Sequence, residues 1–97
     1  MNKLRILVVD DEAAVRKFLR NCLEGADYEV FEAEDGMGGV EGVRKDRPDL
    51  IILDLGLPDL DGFDVTRMLR EWSQIPIIIL SVRDQETDIV QALDFGA

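Results

Sequence analysis

Hydrophobic residues fall along this chain in two rhythms. Four stretches read as strands: Leu4–Val9, Glu29–Ala33, Leu50–Leu53 and Ile75–Leu80. Three of them, around I-L-V-V, L-I-I-L and P-I-I-I-L, are apolar without interruption. That pattern marks strands buried on both faces, as in a parallel sheet. Between them the spacing turns helical. Val15, Phe18, Leu19, Cys22 and Leu23 form one apolar stripe within Glu12–Glu24, and Gly25 supplies the stop. Gly36–Lys45 carries Met37, Val40 and Val43 on one side, with three interior glycines. Each such glycine costs roughly 1 kcal/mol against alanine, so a short, mobile helix is expected there. Phe63–Trp72 and about Gln85–Phe95 complete the series. The order βαβαβαβα with right-handed crossovers predicts an α/β fold, an open parallel sheet with helices on both faces.

In such sheets a ligand crevice opens beyond the carboxyl ends of the strands. The first strand ends in Asp10, Asp11 and Glu12, the third in Asp54, and the fourth in Ser81. If these strands are neighbours, Asp10, Asp11, Asp54 and Ser81 share one rim. Carboxylates that close repel one another unless a cation joins them. An all-oxygen set on short loops suits Mg²⁺, which takes one or two carboxylates, waters and a substrate phosphate. The chain has no histidine, and one cysteine cannot build a zinc site. A carboxylate beside Mg²⁺ is also a nucleophile toward phosphorus. Asp54, central between the other two strands, is best placed for that.

The totals narrow the classes. Ninety-seven residues suit one small domain, and 46% apolar with 33% charged residues reads as globular. A net charge of −10 repels phosphate backbones, so direct nucleic-acid binding is not expected. No run approaches the ~18 apolar residues of a membrane span, and no secretory signal is seen. The single Cys22 precludes an intrachain disulfide and fits a reducing cytoplasm.

The stretches I-L-V-V-D-D-E, D-L-G-L-P-D-L-D-G-F-D, P-I-I-I-L-S and A-L-D-F-G-A together resemble the receiver domain of two-component response regulators, along the whole chain. The G-L-P and W-S-Q-I-P-I-I-I-L-S wording is most similar to the winged-helix transcription-factor subgroup, the potassium-transport regulators in particular. The resemblance implies a flavodoxin-like receiver fold with strand order 2-1-3-4. It implies that a sensor histidine kinase phosphorylates Asp54. It makes Asp11 a direct Mg²⁺ ligand, Asp10 a ligand through water, and Gly56 the source of a backbone carbonyl ligand. Ser81 becomes the hydroxyl that moves onto the phosphoryl group.

Family receivers continue past the G-A with a fifth strand, a fifth helix and a phosphoryl-pairing lysine. The sequence given stops at Ala97, and its lysines, Lys3, Lys17 and Lys45, do not match that position. The expectation is a truncated receiver with no effector domain, its switching impaired. Arg83 is the nearest cationic substitute. The fourth strand then becomes an apolar edge that invites self-association, by strand pairing or exchange. A compact monomer at every concentration in light scattering would remove that idea.

Other readings stand beside these. A Mg²⁺-dependent phosphohydrolase wants an acid two residues after its nucleophile, where this chain has Gly56. A flavin module wants a phosphate loop where D-D-E-A-A stands. A folded fragment that no longer switches is the third. Asp11 doubles as a potential helix cap. Asp59 and Asp61 read as turn formers, Glu34 and Asp35 as solvated, Cys22 as inert core, and Trp72 as packing.

Overall fold

The computed structural model describes residues 3–80. Seven elements follow in order: β1 (Arg5–Val9), α1 (Ala13–Gly25), β2 (Glu29–Ala33), α2 (Gly36–Asp46), β3 (Leu50–Asp54), α3 (Gly62–Arg70) and β4 (Ile77–Leu80). The strands form one parallel sheet in the order β2-β1-β3-β4. The alternation and the order match what the apolar pattern and the family resemblance imply. The predicted helix at 85–95, with Ser81 and Arg83, lies outside the described residues.

Strand side chains alternate between two layers. Leu7, Val9, Ile51, Leu53, Ile77 and Ile79 face α2 and α3, where they pack with Val40, Val43, Val65 and Leu69. Every one of these is buried. Ile6, Val8, Val30 and Ile52 face the other way and meet Leu19 and Leu23 of α1. On that face Ile78 and Leu80 of β4 are only half-buried. The uninterrupted apolar run of β4 is thus covered on one side and partly open on the other.

One expectation about the helices is corrected, and the glycines of α2 acquire a role. A Cβ at Gly39 would stand 3.0 Å from a Val9 methyl, so the missing side chain is what lets α2 lie close on β1. Cys22 is exposed, not core. The apolar stripe of α1 is wider than its contact with the sheet. Leu19 and Leu23 meet the strands, while Phe18, one step around the helix, stays 64% exposed. Trp72 is also largely exposed, with the Arg44 guanidinium 4.9 Å from its ring centroid.

Candidate functional site

Strand register brings the acids together. Val9 pairs with Leu53, so the residues that follow, Asp10 and Asp54, leave adjacent strands at the same level. Asp10, Asp11 and Asp54 each offer a carboxylate oxygen, and these oxygens lie within 4.8 Å of one another. Asp10 is buried, Asp54 half-buried and Asp11 exposed. The sequence expectation of a shared acidic rim is met for these three residues.

Each carboxylate has a different setting. Burial, above all, pushes the Asp10 carboxyl up to about 6, with Asp54, Asp11 and Glu12 adding repulsion. The Glu12 backbone N–H donates to Asp10 Oδ1 at 2.9 Å and partly offsets this. Burial also raises Asp54, and Asp11 and Glu12 repel it further. Against that rise, the backbone N–H groups of Gly56 and Leu55 favour the Asp54 carboxylate. Among the described residues no lysine or arginine forms an ion pair with any of the three. Three oxygen donors, two of them with carboxyls raised by burial and mutual repulsion, fit a hard divalent cation such as Mg²⁺.

Gly56 sits on the loop after β3, exposed and bridged to Asp61 in antiparallel fashion. The sequence offered it as a carbonyl donor; its N–H near Asp54 was not foreseen. Asp11 does not cap α1. The N-cap position is Glu12, whose side chain makes no capping bond. Instead the Asp10 carboxylate accepts from the Glu12 amide.

Four further polar residues have structural duties that sequence reading missed. Asp35 caps α2 by accepting from Gly38 N at 2.7 Å, so it is not simply solvated. Asp61 caps α3 by accepting from Phe63 N at 2.9 Å. The signal for both was present: an Asp directly before a glycine-led helical run. Arg16 donates to the Asp10 carbonyl at 2.8 Å and to Glu32 at 2.9 Å. Asp59 accepts from Gly36 N at 2.7 Å and Met37 N at 3.0 Å, far away in sequence. No spacing rule announces the last two, since each joins separate elements.

A parallel sheet in this order, with an acidic cluster at the carboxyl ends of β1 and β3, defines a flavodoxin-like α/β domain. The chain belongs to the response regulator receiver domain family, whose model matches residues 6–97. It is 53% identical over 92 residues to the KDP operon transcriptional regulatory protein KdpE of Escherichia coli, covering 95% of this chain and 41% of that protein. It is 45% identical over 95 residues to the response regulator MprA of Mycobacterium leprae, covering 97% and 42%. The chain therefore spans about two-fifths of these relatives' length. These relatives agree with the subgroup that the G-L-P wording implied. Among solved structures, the chemotaxis response regulator CheY4 of Vibrio cholerae matches with TM-score 0.80 and 32% identity, over 88% of this chain and 78% of that one. The BeF3-activated receiver domain of Klebsiella pneumoniae RstA matches with TM-score 0.76 and 32% identity, over 79% and 66%.

Proposed function

We propose that the chain is a phosphoryl-accepting switch, with Asp54 as acceptor and a sensor histidine kinase as donor. The supporting observation is the convergence of Asp10, Asp11 and Asp54 within 4.8 Å, with no cationic side chain paired to them among the described residues. Asp10, Asp11, Asp54 and the Gly56 carbonyl would hold Mg²⁺. The bound ion would neutralise charge on the transferring group.

The chain's own residues supply the rest. An Asp54 carboxylate oxygen attacks the phosphorus of a phosphohistidine. The P–O bond forms as the P–N bond breaks. The imidazole leaves with the bonding pair and takes up a proton, and Asp54 carries an acyl phosphate. The Gly56 and Leu55 N–H groups favour the charged form of Asp54, the form that attacks. Ser81, which follows Leu80 in the sequence and lies outside the described residues, is assigned the hydroxyl that reads the new group. The signal is a population shift of the domain driven by the phosphoryl group. Turnover is limited to the chain's own phosphorylation and dephosphorylation. The site of action is the cytoplasm, where the kinase's phosphohistidine is presented.

The test is intact mass after incubation with Mg²⁺ and acetyl phosphate. One phosphoryl group should be gained by the chain and none by Asp54→Asn. No gain in either would replace the switch with a folded, non-switching module.

A further inference from the structure

The loop between β3 and α3 carries Gly56, and it is tied down in three ways. Its ends close on themselves through the Gly56–Asp61 bridge and a hydrogen bond from Gly62 N to Leu55 O at 3.1 Å. Leu57 is buried in the core beneath it. The third tie reaches across to another element. Both carboxylate oxygens of Asp59 accept amides at the N-terminus of α2, Gly36 N at 2.7 Å and Met37 N at 3.0 Å. These amides have no partner within the helix, and the helix end favours negative charge. Donation from Gly36 and Met37 holds the Asp59 carboxyl below its ordinary value.

Gly36 is shaped for the same contact. A Cβ there would stand 2.9 Å from Leu60 Cβ and 3.0 Å from Asp59 Oδ1. The loop thus rests directly on the backbone of α2. Asp59 lies only a few residues from Gly56 in a closed loop, so its release would let Gly56 drift relative to Asp54.

We propose that Asp59 is a positioning residue for the metal rim, clamping the loop to α2 so that Gly56 holds its place beside Asp54. This rests on reading the rim as a Mg²⁺-dependent acceptor. Asp59 is not one of the three clustered carboxylates; it would act as an outer partner does when it orients a ligand.

Mg²⁺ titration by calorimetry tests this on the chain, its Asp59→Ala and Gly36→Ala variants, and Asp35→Ala as comparison. Asp35→Ala removes a cap from the same end of α2 without touching the loop. Asp59→Ala and Gly36→Ala should each weaken Mg²⁺ binding by roughly tenfold, the scale of a lost outer-shell contact. Asp35→Ala should lower the urea midpoint and leave the Mg²⁺ affinity unchanged. Asp59→Asn, which keeps the volume and loses one acceptor, serves if Asp59→Ala does not fold. Unaltered affinity in Asp59→Ala overturns the clamp and leaves the metal reading standing. Equal losses in Asp59→Ala and Asp35→Ala overturn it as well, since fraying of α2 would then explain both. No Mg²⁺ binding by the parent chain sinks the metal reading and the clamp together.

Discussion

Two sets of carboxylates sit on either side of the β1 strand end, and they are treated in opposite ways. Glu32, on β2, is held by Arg16 at 2.9 Å and Arg20 at 2.6 Å. Those bonds, chiefly the one from Arg20, hold its carboxyl below the usual range. Asp10 and Asp54 have no such partners among the described residues, and burial pushes both up. Glu32 is a finished structural network. The aspartates are clustered, mutually repelling carboxylates that an added cation would balance. An acid that stabilises and an acid that acts are told apart by what surrounds them, not by residue type.

The comparison can be broken most forcefully with the metal itself. Mg²⁺ at a hundredfold excess over its dissociation constant should stabilise the chain by about 2.7 kcal/mol relative to EDTA. Urea unfolding followed through Trp72 fluorescence measures this. Identical midpoints with and without Mg²⁺ would make the two acidic sets equivalent after all.

Next in size is the loss of the finished network. Glu32→Ala leaves Arg16, whose side chain is 16% exposed, and Arg20 without their shared partner. The expected cost is about 2 kcal/mol, between the values for exposed and for buried pairs. It should appear equally in Mg²⁺ and in EDTA. A cost that vanishes when Mg²⁺ is added would tie Glu32 to the metal rim instead.

The smallest effect has the opposite sign. In EDTA at neutral pH, Asp10→Asn should stabilise the chain by about 1 kcal/mol, because it removes a buried, repelled charge. The pH dependence follows from the same residue. Asp10 titrates near 6 in the fold against an ordinary 3.8, so between these values the native state holds more protons. Stability in EDTA should therefore fall as pH rises across that window. Glu32 behaves inversely. Its lowered value gives stability that is present above 4.5 and lost as pH falls further. Urea midpoints between pH 4.5 and 6 separate the raised aspartates from Glu32, and Asp10→Asn should flatten the slope there. A slope that persists unchanged in this variant would assign it to Asp54 alone.

How much of this was legible beforehand differs from element to element. β1, β3 and β4 announced themselves as uninterrupted apolar runs. β2 (Glu29–Ala33) was found although Glu29, Val30 and Phe31 alternate less cleanly. α1 was placed correctly, yet Cys22 was taken for core, since periodicity gives a stripe but not the width of the surface that covers it. α2 looked weak for its glycines, and only the close approach to Val9 shows what they are for. At the site, Asp10 and Asp54 could be found because each is the first polar group after an apolar run, and Asp11 because it follows Asp10 directly.

The sequence by itself determined the order of elements, the parallel sheet and the three acids at its rim. Those depend on local alternation and on where an apolar run stops, which are properties of neighbouring residues. Only the tertiary structure decided which acids stand alone and which are satisfied. Asp59 finds the amides of Gly36 and Met37, and Glu32 finds Arg16 and Arg20, across elements far apart in the chain. Burial and pairing of a charge are set by what the fold brings within a few ångströms, and no spacing along the chain encodes that distance.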